Sequence, residues 1–297
     1  MTNQFRVCAI GLLVSAVVVQ GQVTFTEFPI PTALSEPYGI TSGADGNLWF
    51  TESNASKIGR INTRGVITEF SIPTVGPLII TAGPDRNLWF IGVTAIGKIT
   101  TSGGVTEFGT SFGSGLEGVT AGPDGAVWFT EYGTGKIGRI TTTGVLTEFP
   151  LPPTVSSAYR ITLGPDGNLW FTENTFRKIG KITPGGVITE FLLPMFNRRP
   201  LGITAGTDGN LWFTDTSADK IGRITTSGVI AEFSTPTASS NPSGIASGPD
   251  GNLWFTESIG NKIGRITPGG VITEFSVPTA VSLPLEIIAG PEQDRED

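Results

Sequence analysis

Five carboxylates recur at one position of a repeated segment: Glu52, Glu131, Glu173, Asp215 and Glu257 each close a stretch of the form Leu/Val-Trp-Phe-Thr-acid. Glu117 adds a further acid, directly opposite Glu131 when the segments around them are folded as a hairpin. Carboxylates held close together either share a proton at raised pKa or share a hard cation. Glu117 and Glu131 are therefore the candidate metal pair, for Mg²⁺ or Ca²⁺, with a solvated acidic rim as the plainer alternative. Glu36, Tyr38, Tyr159 and Ser243 stand at or beside the start of neighbouring segments and complete the set of candidate binding residues. The chain has no histidine. It lacks the side chain most used for proton transfer near neutral pH, and with it every imidazole-ligated zinc site. Any catalysis would fall to Glu, Asp, Tyr or Lys.

A repeat positions these residues. Gly-Pro-Asp-Gly-Asn-Leu-Trp-Phe-Thr-Glu stands unchanged at 164–173 and 248–257, with near-copies at 43–52, 83–92, 122–131 and 206–215. All six tryptophans lie in it, spaced 40, 39, 42, 42 and 42 residues apart. A fixed period of about 40–50 residues marks propellers and solenoids. Each unit reads as four strands, which in the first copy are A (38–42), B (47–52), C (57–61) and D (66–70), joined by glycine-marked turns. Strand B is apolar on both faces at Leu48, Trp49 and Phe50, so its sheet must be covered on both sides. Radial stacking of four-stranded blades does this, which makes the tryptophans core residues. The A–B turn calls for a left-handed residue; Arg86 takes that place in the second copy and should be strained by about 1 kcal/mol. Lys57, Arg60 and Glu69, with their repeats, predict an ion-pair ladder across strands C and D. The Pro-Thr pairs after strand D end that strand, since proline cannot donate to a ladder.

Counting the A–B hairpin outward from its turn predicts the cross-strand pairs Tyr38/Glu52, Leu78/Gly92, Glu117/Glu131, Tyr159/Glu173, Leu201/Asp215 and Ser243/Glu257. Strand A is innermost in a blade, so these pairs are expected to ring one mouth of a central channel.

The fold class is all-β, a seven-fold β-propeller of four-stranded blades with an incomplete last blade; a six-bladed closure is the alternative. Six full repeats span about 38–278. A lone D-like strand at 23–31 and a lone A-like strand at 283–291 make a partial seventh blade whose B and C strands have no counterpart in the repeat pattern. In residues 1–21, Arg6 precedes an apolar run from Val7 to Val19 and small residues lead to Gly21, the pattern of a secretory signal peptide. Residues 22–297 are then a single β-propeller domain, secreted or periplasmic. Cleavage would remove the one cysteine, Cys8, and leave no disulfide. A net charge of −7 speaks against nucleic acid as a partner. The expected partner is a small-molecule or protein ligand at the channel mouth, with no membrane association after signal cleavage. The chain should be a monomer unless the open blade edge self-associates.

Pro-Tyr-Gly-Ile-Thr (37–41), the Gly-Pro-Asp-Gly-Asn-Leu-Trp-Phe-Thr-Glu segments, Asn-Lys-Ile-Gly-Arg-Ile-Thr (261–267) and Gly-Gly-Val-Ile-Thr-Glu-Phe (185–191, 269–275) together resemble the streptogramin B lyase, or virginiamycin B lyase, family. The resemblance covers nearly all of 23–291 and implies a seven-bladed propeller. It also implies a carbon–oxygen lyase that opens the ester-closed ring of streptogramin B antibiotics by elimination, aided by Mg²⁺. Mapped by repeat register, Tyr38 matches a tyrosine of the family's site. The place of a sixth-blade histidine is held by Ser243, and that of a Glu-x-His at the start of the seventh blade by Leu283-Pro284-Leu285. A strand-B glutamate of the seventh blade would fall beyond Asp297. Glu36-Pro37-Tyr38 keeps the Glu-x form, but in the first blade. The expected function is thus a ligand- or partner-binding scaffold with an acidic channel mouth. The alternative is a Mg-dependent virginiamycin B lyase-type enzyme conferring antibiotic resistance.

Overall fold

The computed structural model describes residues 3–9, 12–19, 22–93, 95–108, 115–152, 157–194 and 198–290, with strand pairing alone up to residue 22. Among them every regular element is a β-strand, and the strands form seven four-stranded sheets. Six sheets each take four consecutive strands. Blade 1 has A Pro37–Ser42, B Leu48–Glu52, C Lys57–Ile61 and D Ile67–Ser71. Blades 2 to 6 begin with the A strands Ile79–Ala82, Leu116–Ala121, Ala158–Leu163, Pro200–Ala205 and Pro242–Ser247. The A strands contact one another in ring order, and Ile287–Ala289 sits between those of blades 6 and 1.

The seventh sheet differs from the expectation. Its A strand is Ile287–Ala289 and its D strand Gln22–Pro29, as the sequence indicates. The B and C places are not left open: Asn3–Ala9 and Leu12–Val19, the stretch with a leader's composition, fill them. Phe5, Arg6 and Val7 pair with Ala289, Ile288 and Ile287, and the run Leu12–Val19 pairs along its whole length with Gln22–Pro29. The proposed cleavage position Gly21, residue Pro291 and residues 292–297 lie outside the described residues.

The core lies between blades. All six tryptophans are fully buried, and each indole stacks on the strand-D phenylalanine of its own blade, as Trp49 on Phe70 at 5.4 Å between centroids. The tryptophans of blades 1 to 5 also pack against the apolar strand B of the next blade, as Trp49 does with Leu88 and Phe90, and Trp254 packs with Ile287, Val23 and Phe25 of the seventh sheet. Burying an indole of this size is worth about 4–6 kcal/mol as an upper estimate. The turn aspartate of each repeat fixes the ring, since Trp49 Nε1 donates to Asp45 Oδ1 at 3.1 Å. The blade 7–blade 1 interface contains no tryptophan among its described residues; Phe28 and Ile288 pack there on Leu48 and Phe50.

Two sequence expectations about charge resolve differently. The strand-C lysines pair with the strand-D glutamates, at 2.7 Å for Lys57–Glu69, Lys178–Glu190 and Lys262–Glu274. The strand-C arginines leave that ladder. Arg60 lies over Trp49 and Phe70, 5.5 Å from each ring, and donates to the Thr101 carbonyl of the next blade. Cation–π geometry and a buried alkyl stem explain the choice. The Pro-Thr pairs do more than end a strand: Thr32 gives its N–H and hydroxyl to the two carboxylate oxygens of Glu69, at 2.9 and 2.8 Å. Thr237 does the same for Glu274, and Thr279 for Glu27, which latches blade 7 to the linker leaving blade 6. Arg86 has a φ of 64°, where the equivalent Gly46 has 74°, so the expected left-handed strain is present.

Candidate functional site

The mouth of the channel is built by a slip in register. Strand B's last residue pairs one residue earlier on strand A than simple counting gives, as Glu52 with Pro37, Glu131 with Leu116, Glu173 with Ala158, Asp215 with Pro200 and Glu257 with Pro242. The strand-B threonine causes the slip. Thr51 Oγ1 accepts the Gly39 N–H at 2.8 Å and donates to the Leu78 carbonyl of the next blade at 2.7 Å. Thr172, Thr214 and Thr256 repeat both bonds. A side chain thus replaces a ladder bond and inserts a bulge, the usual device for re-aiming a side chain at a rim.

The consequence overturns the acidic mouth. Glu52, Glu131, Glu173, Asp215 and Glu257 are at most 1% exposed and face the strand C–D side of their own blades. Neither carboxylate oxygen of Glu52, Glu173 or Glu257 has a hydrogen-bond partner among the described residues. Burial, then the charge of Glu69, pushes Glu52 up to about 7; burial with Glu190 pushes Glu173 to about 8, and burial with Glu274 pushes Glu257 to about 7. Burial likewise raises Glu131 and Asp215. All five acids are shifted toward the neutral form inside the blades, where the charged form is costly.

The proposed cation pair separates for the same reason. Glu131 accepts from Thr134 Oγ1 at 2.8 Å and neighbours Glu148 and Lys136, whereas Glu117 lies at the mouth with Arg160 at 3.8 Å. No group of three or more metal-ligating side chains occurs among the described residues. The residues present do not fit the magnesium that the resemblance implies, because Glu117 and Glu286 at the mouth both already face the Arg160 guanidinium.

What occupies the mouth is a cation–aromatic cluster. Arg160 donates to Glu286 from Nε and Nη2, at 3.1 and 2.9 Å, to the Tyr38 hydroxyl at 3.3 Å and to the Glu117 carbonyl. Its guanidinium lies 4.7 Å from the Tyr159 ring centre and 5.6 Å from that of Tyr38. One side chain of blade 4 therefore ties blades 1, 3 and 7 across the axis. Below it the channel holds a cavity of about 170 Å³ lined by Ile40, Ile80, Val119, Ile161, Ile203 and Ile245. Nothing in the repeat flags Arg160; only its departure from the glycine at this place in four other blades, Gly39, Gly118, Gly202 and Gly244, could have.

Beside this cluster, between the linkers entering blades 7 and 1, lies a cavity of about 330 Å³. Tyr38, Leu34, Pro37, Leu283 and Leu285 give it apolar walls, with Glu36 and Ser53 as its polar members. Its linkers share a motif missed in the sequence, Thr-Ala-x-Ser-x-Pro, at 32–37 and 279–284 and again at 237–242. The serine is buried in each, at Ser35, Ser240 and Ser282, and both variable positions take a left-handed backbone: Leu34 and Glu36, Ser239 and Asn241, Val281 and Leu283. Such strain in non-glycine residues costs of order 1 kcal/mol apiece and gathers at functional sites. Of the sequence candidates, Glu36 and Tyr38 line this cavity, Tyr159 and Glu117 join the Arg160 cluster, and Ser243 is buried outside the cavity lining.

A seven-sheet propeller with Trp-anchored blades and a site on its A-strand face defines the class. The chain belongs to the virginiamycin B lyase family, whose model matches residues 13–164. A structure of a streptogramin B lyase is 41% identical over 89% of this chain and 90% of that one, with a TM-score of 0.85. A catalytically inactive histidine-to-alanine variant of the Staphylococcus aureus virginiamycin B lyase, solved with quinupristin, is 42% identical over 84% of this chain and 87% of that one, at a TM-score of 0.81. The virginiamycin B lyase of Bordetella parapertussis is 42% identical over 64 residues; that match spans 21% of either protein, so about a fifth of the curated relative's length.

Proposed function

We propose that this chain is a binding member of the family: it holds an apolar ligand in the cavity between blades 7 and 1 and does not open a ring. The observation that carries this reading is the identity of the walls. Where the resemblance implies a Glu-x-His, Leu283 and Leu285 stand and line the cavity with Tyr38. Neither leucine can move a proton, and the whole chain has no histidine to take their place. The Staphylococcus aureus variant that is inactive through loss of one histidine is nonetheless seen with quinupristin, which supports treating binding and chemistry as separable on this fold. Apolar walls with a few polar groups are what small-ligand sites generally show. Leu34, 83% exposed, would be covered by the ligand.

The test uses the full chain with a streptogramin B antibiotic, with and without Mg²⁺. The expected outcome is binding by calorimetry, weakened in Leu285→Asp, and an unchanged antibiotic mass after prolonged incubation. Catalytic accumulation of a linear product would establish the lyase reading instead. Export belongs to the same proposal, on the composition of residues 1–21, and an intact mass starting at Gln22 in secreted or periplasmic material would support it.

A further inference from the structure

With the cavity between blades 7 and 1 taken as the ligand site proposed above, its charge decides which ligands it admits. Glu36 is its one carboxylate among the described residues. It is the second variable residue of the Thr-Ala-x-Ser-x-Pro linker, and the three linkers carry Glu36, Asn241 and Leu283 there, at φ of 50°, 56° and 46°. Asparagine is tolerated in a left-handed backbone because its short side chain bonds locally. Asn241 does so, its Nδ2 donating to Ser258 Oγ at 2.8 Å. Glutamate and leucine gain nothing of that kind, and they are the two of the three that line the cavity.

Ser53 stands where blade 6 has Ser258, and it spends both its N–H and its hydroxyl on the Glu36 carbonyl, at 3.0 Å each. The backbone of residue 36 is thereby pinned. Its carboxylate makes no ion pair and no hydrogen bond among the described residues, and it is exposed at the rim. The inner end of the cavity is different. Behind Tyr38, Arg160 already meets Glu286 at 2.9 Å and Glu117 at 3.8 Å, so these charges are spent on one another. Leu34, Pro37, Leu283 and Leu285 offer a charge no partner. One free negative charge therefore stands at the rim of otherwise apolar walls.

We infer that this cavity selects amphipathic cations, with the apolar body seated among Tyr38, Leu283 and Leu285 and an ammonium group on the Glu36 carboxylate. A carboxylate accepts from an ammonium in a charge-assisted bond. The net charge of −7 favours the approach of a cation and opposes that of an anion. Because Glu36 is exposed, the preference is modest and weakens with salt.

The experiment titrates the full chain by calorimetry, at low ionic strength and neutral pH, with phenylbutylamine, phenylbutanol and phenylbutyrate. The three share an apolar body that a cavity of about 330 Å³ admits. The amine should bind tighter than the alcohol by about three- to fivefold, the worth of one exposed ion pair, and the carboxylate should bind most weakly. Glu36→Gln should remove the advantage of the amine and leave the alcohol unchanged. Glu36→Lys should make the carboxylate the tightest of the three. Glu148→Gln, on the outer strand of blade 3, should leave the order as it is, which separates Glu36 from overall charge. An alcohol bound as tightly as the amine, or an advantage that survives Glu36→Gln, overturns the selectivity and leaves the cavity standing. Failure of all three to bind overturns the ligand site and its selectivity together.

Discussion

The A-strand face carries two cavities between successive blades: the apolar one between blades 7 and 1, and one of about 560 Å³ between blades 4 and 5 whose lining includes Arg177, Arg198 and Arg199. At blades 7 and 1 the linker residues are Leu34-Ser35-Glu36-Pro37 and Val281-Ser282-Leu283-Pro284; at blade 5 they are Arg198-Arg199-Pro200. The strands beneath are nearly identical: Leu-Trp-Phe-Thr-acid and Lys-Ile-Gly-Arg-Ile occur in both blades 1 and 5. Chemistry therefore changes in two or three linker positions while the strands keep packing constant. The buried acid beneath each linker follows the change. Under Ser35, burial and the charge of Glu69 push Glu52 up to about 7; under Arg198, Asp215 has a cation within 3.4 Å.

This contrast can be broken in several ways. The largest effect should come from Arg198→Ala, which removes the cation beside buried Asp215 and leaves Glu232 with Lys220 alone, and should cost about 3–5 kcal/mol in urea unfolding. Ser282→Ala, which removes one hydroxyl bond to Asn261 Oδ1 at 2.8 Å, should cost only about 1 kcal/mol. Equal costs would show that the arginine does not lock its linker.

The second effect is a pH dependence. Glu52, Glu173 and Glu257 have folded-state pKa values of about 7, 8 and 7 against an ordinary value of 4.5. The folded state therefore holds more protons than the unfolded one between these limits. Stability should be full below about pH 4.5 as far as these groups go, and should fall as pH rises through 7 to 8. Glu173→Gln should flatten this fall and stabilise the chain at pH 8 by of order 1–3 kcal/mol, while Asp215→Asn, which leaves Arg198 with Glu232 alone, should destabilise it. Melting curves from pH 5 to 8.5 decide the matter. The smallest effect is Arg86→Gly, a departure from the repeat with no site attached, which should stabilise by about 1 kcal/mol through relief of a left-handed backbone.

Periodicity alone exposed the blades, because strand B is buried on both faces and its tryptophan cannot be replaced cheaply. It also located the mouth and Tyr38. It failed at the carboxylates: Glu52 and its repeats read as rim residues under an unbroken hairpin, and a threonine hydroxyl shifts the pairing by one. A bulge of this kind leaves no composition signature, although a threonine fixed before every acid was its trace. Arg160 was illegible because its partners Glu286, Tyr38 and Glu117 come from three other blades. The seventh blade was half legible. Val14 pairs with Glu27 as Gly59 does with Glu69, and Arg6 takes the register place of a tryptophan, so geometry is kept without the motif.

That last pairing sets an order of events. Phe5 meets Ala289, so the ring cannot close until the strand Ile287–Ala289 has been made. At about 5–20 residues per second, synthesis takes of order fifteen seconds to a minute. Through that interval the hairpin of residues 3–19 can pair with residues 22–29 but has no inner neighbour, and its free edge is open to whatever meets the nascent chain first. The closing strand pair is thus also a timer: the N-terminal strands stay accessible until residue 289 appears, after which the propeller holds them.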